Sequence, residues 1–447
     1  MMPVTVLLSS GSNAHGQLAN ETLEDIHTFS RCSFSGFAPG SLPAGTRQIL
    51  HTTSGANHTL ALLECSDDSG ELRTELWGCG DGTAGQLGPS YLKDLQSGAP
   101  TSIFRRIDLS LEGFQGYTCR LVSASWETTY VVLTCTGKGD VLISMGANYF
   151  GDLGIGRLER GKQPVRPFHV VNFGHLVVNG LPLETGNIIV NSLAAGQHHV
   201  VVHLKTTLSD GSARYLTVGW GTSRHGQLGI VTTDTGQAVP FLSLPKIIAV
   251  DDDENRVVSS ALGNQHTILL YTSGRVSGFG SQRKGQLRGI KDFENVRSVD
   301  CTWNGTYVIM NDNATPWILA TGNHSKGQLG RAISSMSDDS RALFPAPVEF
   351  PFTPASHRLL KIACGSEHVL SLFLVEPSSS RRAGDSKTEV WGWGWNEHGN
   401  LGIGTTDDVV LPTKLWPSSE ESRNHGQRVV DIWAGCGTSW IAINTTR

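Results

Sequence analysis

Four histidines recur in this sequence at the same point of a repeated motif. Four imidazoles meeting on one axis would make a metal-binding ring or a set of general bases. They are His58, His199, His266 and His368. The three other copies carry Thr128, Gly305 and Thr438 at this point. Because such residues cannot maintain a shared ligand set, we interpret the histidines as structural, each bonding backbone within its own repeat unit. We expect no metal site.

One glycine-rich run, residues 80–85, spells G-x-G-x-x-G like a dinucleotide-binding loop. That loop holds a pyrophosphate only where the N-terminus of a helix follows it. Here Pro89 and a polar stretch follow. No Ser-His-Asp order, P-loop, H-E-x-x-H motif or carboxylate pair stands out from the repeats. The sequence therefore predicts a protein that is not an enzyme and binds no cofactor.

Cysteine usage and charge narrow the possible environments and partners. The eight cysteines form no C-x-x-C pair, so we expect neither a zinc knuckle nor a local redox motif. Several occupy small positions of the repeat, which is typical of reduced core cysteines in a cytosolic or nuclear protein. The first apolar run is short for a signal peptide, and no stretch reaches about 18 apolar residues. A distributed net charge of -5 argues against nucleic acid as a direct ligand.

The elements that must position these residues come in seven copies. A glycine-polar-leucine triplet closes a turn at residues 16–18, 85–87, 151–153, 226–228, 285–287, 327–329 and 399–401. Between the triplets lies a second motif, a small residue and a glycine followed by an apolar stretch with the length of a buried strand. Units of this kind cannot bury their apolar faces alone, but stacking around an axis does so. The sequence predicts an all-β, seven-bladed propeller.

The two motifs are out of phase at the chain ends, which predicts how the ring closes. We expect Val4 to Ser9 to pair with strands near Trp433 to Ile443, so that residues 1–447 form a single propeller. Positions 263 and 302 lie only 39 residues apart, whereas the other intervals are 63 to 71. The extra residues predict long loops at about 20–48, 89–115, 157–188, 231–255, 331–357, 375–388 and 405–427.

The triplets themselves are interpreted as structural. Glycine is suited to a turn that needs a positive φ or a close backbone approach. We expect the polar side chain, usually glutamine, to satisfy backbone groups of the adjoining blade and the leucine to fill the space between blades. Uniform positions of this kind are poor candidates for a functional site.

Departures from the repeat are better candidates for a partner-binding surface. Trp126 and Trp303 stand where other copies carry small or polar residues, and either they pack against the adjacent blade or they are exposed anchors. A third cluster is Trp391, Trp393 and Trp395 with Asn396, Glu397 and His398, and we expect part of it to be core and only its last members to reach a face. The candidate partner-binding residues are Trp126, Glu127, Trp303, Asn304, Trp395, Glu397 and His398.

These repeats resemble the W-G-x-N-x-x-G-Q-L-G and A-x-G-x-x-H-T units of the regulator-of-chromosome-condensation superfamily, over nearly the whole chain. The details resemble those of the fungal alpha-tubulin suppressor group. The segments that carry this likeness are residues 78–81, 126–129, 364–368, 391–400 and 435–440.

The resemblance implies a non-enzymatic propeller that forms a heterodimer with a small cysteine-rich metal-binding protein of the CSL zinc-finger type. It further implies support for diphthamide synthesis on elongation factor two and for Elongator-dependent modification of wobble uridine in tRNA, with components of either system as further partners. Two alternatives stay open. One is a guanine-nucleotide exchange factor for a Ran-like GTPase, and the other is a structural scaffold linked to microtubules.

Overall fold

The chain forms a ring of antiparallel sheets in a computed structural model. The structure describes residues 4–89, 91, 100–109, 113–156, 167–208, 211–233, 235–251, 255–311, 318–333, 344–376, 387–418 and 427–445. In this part of the chain, the strands make seven sheets and one separate two-stranded ribbon. No helix there is long and apolar enough to cross a membrane. The prediction of an all-β, seven-bladed propeller is confirmed.

Strands are numbered in chain order, and each blade begins with an inner strand. The inner strands contact one another around the ring: β3 (Thr46–Ser54), β7 (Thr118–Ala124), β13 (Ile189–Ala195), β17 (Val257–Leu262), β20 (Val296–Thr302), β24 (His357–Cys364) and β28 (Gln427–Ala434). The second strands are almost wholly buried: β4 (His58–Ser66), β8 (Thr128–Thr134), β14 (His199–Thr207), β18 (His266–Tyr271), β21 (Gly305–Met310), β25 (His368–Val375) and β29 (Thr438–Thr445). Strands buried on both faces need continuous apolar runs, as these sequences have.

The third and fourth strands complete the blades towards the rim. The third strands are β1 (Val4–Gly11), β5 (Leu72–Gly80), β9 (Val141–Gly146), β15 (Ala213–Thr222), β19 (Val276–Gly280), β22 (Ile318–Gly322) and β26 (Lys387–Gly394). The fourth strands are β2 (Ile26–Arg31), β6 (Thr101–Ile107), β10 (His169–Val170), β16 (Phe241–Asp251), β23 (Ala346–Pro347) and β27 (Val409–Trp416). The ribbon pairs β11 (Val177–Val178) with β12 (Leu181–Pro182), and short 3-10 helices span Thr185–Asn187 and Ile290–Asp292.

Both chain ends contribute to the same blade, which we number blade 1. Its strand order is β2-β1-β29-β28, and β1 pairs with β29 from Val4↔Thr445 to Gly11↔Thr438. The predicted closure of the ring by pairing N-terminal with C-terminal strands is therefore confirmed. The remaining blades follow in chain order, from blade 2 (β3 to β6) to blade 7 (β24 to β27).

Six of the seven long segments predicted as loops carry a fourth strand, so describing these six as loops throughout was wrong. Strands β2, β6, β10, β16, β23 and β27 all lie within them. Blade 5 is the unit with the 39-residue spacing, and among the described residues it has only β17, β18 and β19. The extra length of the other units therefore supplies an outer strand. Parts of 89–115, 157–188, 231–255, 331–357, 375–388 and 405–427 lie outside the described residues.

The recurring histidines fasten neighbouring blades together. The Nε2 atoms of His58, His199, His266 and His368 lie 3.0, 3.0, 3.1 and 3.0 Å from the hydroxyls of Thr129, Thr267, Thr306 and Ser439 in the next blade. The prediction that each histidine bonds backbone within its own blade was wrong. Where blades 3 and 6 carry Thr128 or Gly305 instead, the next blade has Val200 or Val369 at the hydroxyl position. Blade 1 carries Thr438 instead of histidine, although the next blade has Thr59 at the hydroxyl position. Every histidine therefore has a hydroxyl partner, and we call each such pair a histidine clasp.

The triplets also join blades, but through backbone atoms. The Gln17, Gln227, Gln286 and Gln328 side chains each accept a hydrogen bond from a backbone N–H two residues earlier, within their own turn. The expectation that these side chains serve the adjoining blade's backbone was therefore wrong. The carbonyl of the same residue serves the next blade instead, as Trp393 Nε1 donates to Gln328 O at 2.8 Å. The neighbouring leucines are buried between blades, apart from half-buried Leu287.

Candidate functional site

All seven candidate residues lie at one end of the propeller. His58 at the start of β4 pairs with Gly80 at the end of β5, and the same pairing recurs in the other blades. The turns between first and second strands therefore share an end with the turns that follow the third strands. Trp126, Glu127, Trp303 and Asn304 lie in turns of the first kind, and residues 395–398 lie in a turn of the second. We call this end the axial face.

Two tryptophans meet over the channel. Trp126 belongs to blade 3 and Trp303 to blade 6, three blades away in a ring of seven. Their ring centroids nevertheless lie only 6.0 Å apart, with the planes tilted by 44°. Both side chains must therefore reach inwards over the axis, where they cap a small cavity of about 140 Å³. Each is half-buried, so the pair keeps an aromatic surface open to solvent.

Backbone hydrogen bonds between successive turns hold the tryptophans in place. Trp126 N–H donates to Gln197 O at 3.0 Å, and Trp126 O accepts from Ala56 N–H at 2.8 Å. Trp303 is held in the same way by Ser366 O at 2.7 Å and Asn264 N–H at 2.9 Å. Because both backbone groups of each tryptophan bond to neighbouring blades, the capping side chains stand on a rigid ring. A pre-ordered aromatic pair loses little conformational entropy when a partner covers it.

The aromatic surface continues outwards over blades 3 and 4. The Trp126 ring lies 6.2 Å from that of His198, and the His198 ring lies 4.8 Å from that of Phe150. Asp152 Oδ1 fixes His198 by contacting Nδ1 at 3.1 Å. Phe150 and Tyr149 are 41% and 63% exposed. An exposed row of aromatic rings that starts at the axis is unusual for a soluble surface and is typical of a protein-binding site.

Glu127 lies beside the aromatic row. A hydrogen bond to its carboxylate and the negative charge there raise the pKa of Tyr149, so the phenol stays neutral. Glu127 itself is half-buried, and its backbone O accepts from Ala147 N–H at 3.0 Å. The carboxylate is thus placed to orient Tyr149 and to meet a donor from a partner.

Asn304 joins the axial pair to blade 7 through the half-buried carboxylate of Glu367. Its Nδ2 donates to Glu367 Oε1 at 2.7 Å, and Gln328 Nε2 donates to Glu367 Oε2 at 2.8 Å. Burial raises the pKa of Glu367, although both hydrogen bonds oppose that shift. Glu367 O also accepts from Trp395 N–H at 2.9 Å. Because both oxygens of the Glu367 carboxylate accept hydrogen bonds within the protein, we interpret Asn304 as a residue that supports the turn.

The third cluster forms a separate patch on the same face. Trp395 Nε1 donates to Glu397 Oε2 at 3.1 Å, and the Trp395 ring meets that of His398 edge-on at 5.2 Å. His398 Nδ1 lies 2.7 Å from Asp25 Oδ2 in blade 1. Trp391 and Trp393 are buried, as expected of core members of this cluster. The Glu367 turn connects the Trp395 patch to the axial pair.

Sequence reasoning missed Tyr149, Phe150 and His198. A signal was present, because Tyr149-Phe150 precedes the glycine of its triplet where the other copies have small, polar or charged residues. His198 was hidden by its neighbour His199, which occupies the repeat position. What the sequence did not show is that these residues and Trp126, from two different blades, form one surface.

The chain matches the family model for the regulator of chromosome condensation (RCC1) repeat at residues 219–270 and 388–441. The matched segments contain the second and third strands and triplet turns described above. The chain carries RCC1 repeats in these two segments. The specific likeness to the fungal alpha-tubulin suppressor group is not decided by these matches.

Similar proteins extend the RCC1 likeness over the whole ring. The mouse secretion-regulating guanine nucleotide exchange factor is 26% identical over 436 residues, covering 92% of this chain and 78% of its own length. An RCC1 repeat-containing protein of Schizosaccharomyces pombe is 24% identical and covers 98% of this chain and 99% of its own. The crystal structure of Prp20p from Saccharomyces cerevisiae, described with its binding to Gsp1p and histones, gives a TM-score of 0.65 at 15% identity, covering 100% of this chain and 94% of its own. That likeness supports the fold alone.

Proposed function

We propose that this RCC1-type propeller is a non-enzymatic binding protein that holds a protein partner against its axial face. The observation that carries the proposal is the pair of Trp126 and Trp303 rings, 6.0 Å apart over the channel and continued by His198 and Phe150. Large aromatic side chains on a rigid support are the residues that most often dominate the energy of protein interfaces.

The partner that we propose is a small cysteine-rich, metal-binding protein of the CSL type. The support is the resemblance of residues 126–129, 364–368 and 435–440 to the fungal alpha-tubulin suppressor group, and these segments all border the axial channel. A small compact partner suits a surface that is centred on one pair of rings. On this proposal the protein supports diphthamide synthesis and Elongator-dependent tRNA modification from the cytoplasm or nucleus.

The test is capture of the stoichiometric partner from the native host by the intact protein and by single-site variants. Trp126→Ala and Trp303→Ala should each weaken capture by more than about 1 kcal/mol, as truncation of an interface anchor does. Phe37→Ala is the matched control, because Phe37 is 39% exposed at the opposite end of the ring and should leave capture unchanged. Unchanged capture by both tryptophan variants rejects the axial face, and a partner without cysteine-bound metal rejects the CSL class.

A second candidate is guanine-nucleotide exchange on a Ran-like small GTPase. It is favoured by the identity of 26% with a secretion-regulating guanine nucleotide exchange factor over 92% of this chain. An exchange factor must accelerate release of bound nucleotide, whereas a binding protein need not. Release of fluorescent GDP from a Ran-like GTPase therefore separates the two, and acceleration by catalytic amounts of the propeller establishes exchange activity.

A further inference from the structure

Blade 5 has a sheet edge that every other blade covers. Each third strand has a glycine at or next to its end, and we compare the residue two positions before that glycine. In six blades this residue pairs with a residue of the fourth strand. These pairs are Ser9↔Ser30, Gly78↔Arg105, Ser144↔His169, Gly219↔Lys246, Ala320↔Ala346 and Gly392↔Thr413. The equivalent residue of blade 5 is Gly278, and none of the described strands pairs with it on that side.

The exposure of this residue depends on whether a fourth strand pairs with it. Gly278 is exposed, whereas the other six residues at this position are all buried. Leu287 packs against the face of the sheet at this point, since a Cβ on Gly278 would lie 2.9 Å from Leu287 Cδ2. The 3-10 helix Ile290–Asp292 contacts β19, and Ile290 packs in one buried cluster with Val276 at the start of the strand. No described residue forms a backbone hydrogen bond to the outer edge of β19, so the open part of the edge is the stretch around Gly278. Unpaired N–H and C=O groups in a row form a template for another strand.

The charge of blade 5 differs from that of the rest of the chain. Residues 257–295 contain five basic and two acidic side chains, a net charge of +3, in a chain whose total is -5. The basic residues are Arg275, Arg283, Lys284, Arg288 and Lys291, and all except half-buried Arg288 are exposed. Arg275 precedes β19 directly, and Arg283 and Lys284 follow its last residue by three and four positions. The end of the edge at Arg283 and Lys284 is therefore basic, whereas Arg275 at the other end already lies 3.8 Å from Glu294.

We propose that blade 5 binds an extended acidic segment of another protein, which adds to β19 as a fourth strand. Backbone hydrogen bonds to β19 supply affinity in this recognition mode, and side-chain contacts supply specificity. Carboxylates of the segment meet Arg283 and Lys284, which follow the last residue of β19. This surface lies at the rim of blade 5, apart from the Trp126–Trp303 pair, so it goes beyond the function proposed above.

The first measurement is amide hydrogen exchange on the free, full-length protein. Amides of β19 should exchange faster than those of β22, whose outer side is covered by β23. Protection of β19 equal to that of β22 would show that another stretch of the same chain already occupies the edge, and would overturn the proposal.

The second measurement is binding of a ten-residue peptide that alternates valine and glutamate. It should bind and protect β19 from exchange, with affinity that falls as ionic strength rises. The matching valine–lysine peptide should bind at least about tenfold more weakly. A valine–glutamate peptide with N-methyl groups on alternate residues keeps its charge but loses strand hydrogen bonds, and it should not protect β19.

Variants locate the binding on the chain. Arg283→Glu with Lys284→Glu should weaken the acidic peptide at least about tenfold, whereas the same charge change from Arg358→Glu with Lys387→Glu in blade 7 should not. Failure of the acidic peptide to bind, equal binding by the N-methylated peptide, or indifference to the Arg283 and Lys284 changes would each mean that these charges only guard the edge. Capture through the axial face is measured with different variants, so either proposal can fail alone.

Discussion

The histidine clasps and the axial tryptophans lie in the same series of turns, yet they differ in almost every property. His58 and its three counterparts are fully buried and each meets a hydroxyl of the next blade. Trp126 and Trp303 are half-buried, each replaces the repeat residue, and they contact one another. Residues that recur in the repeats thus form the contacts that hold the blades together. Residues that depart from the repeats form the surface that we propose binds a partner.

Both the histidine clasps and the axial tryptophans depend on a closed ring. Opening the ring should therefore have the largest effect on stability. Deletion of residues 1–10 removes nearly all of β1, which pairs with β29 and also holds β2. We expect loss of the cooperative unfolding transition, because the cost exceeds the roughly 5–15 kcal/mol by which domains are stable. Calorimetry of the truncated protein checks this. An unchanged melting transition would show that blade 1 does not need both chain ends.

Acid should weaken the clasps together. Burial lowers the pKa of His58, His266 and His368 to about 4 and that of His199 to about 3. The unfolded chain binds protons near pH 6.5 while the folded ring does not, so this stabilisation is complete above about pH 6.5 and is lost as the pH falls towards 4. For each histidine, one pKa unit of difference between the folded and unfolded states corresponds to about 1.4 kcal/mol in the free energy of unfolding.

Urea unfolding between pH 7 and pH 4.5 measures this loss. The variant His58→Gln cannot titrate at this position, so its stability should depend less steeply on pH than that of the unmodified protein. Equal slopes for the two proteins would contradict a neutral, buried His58.

A single clasp can be broken from the hydroxyl side. Thr129→Val leaves His58 Nε2 without its partner, and a buried polar group left unsatisfied costs about 1–3 kcal/mol. The double variant with His58→Leu should cost less than the sum of the two single changes, because the orphaned imidazole is then gone. Additive costs would show that the pair does not interact. Urea unfolding midpoints of the unmodified protein, the two single variants and the double variant measure this difference.

The axial pair should show the smallest effect on stability. Trp126→Ala should cost about 1 kcal/mol, as expected when one aromatic contact is lost at a half-exposed site. Trp393→Ala is the control, because that ring is fully buried between blades and its truncation should cost about 3–5 kcal/mol. Thermal unfolding of the two variants compares them. Similar losses would mean that Trp126 belongs to the core and not to a binding face.

The sequence was sufficient to predict the propeller because the same local pattern recurs in seven repeats. Apolar stretches and turn glycines recur often enough that the blade count and the pairing of β1 with β29 could be predicted. The fourth strands could not, because they are edge strands with weak alternation, such as β10 and β23 with two residues each. The partners of the histidines were also hidden, because the hydroxyls lie 40 to 71 positions away in the next blade.

The sequence by itself determined the class of fold, the number of blades and the residues that break the repeat, since these depend on local periodicity and residue type. Tertiary structure alone decided that Trp126 of blade 3 meets Trp303 of blade 6, that Tyr149 and Phe150 extend the same surface, and that blade 5 has no fourth strand among the described residues. The physical reason is that a ring brings together residues that are far apart in the chain. Which of them meet depends on how the blades stack.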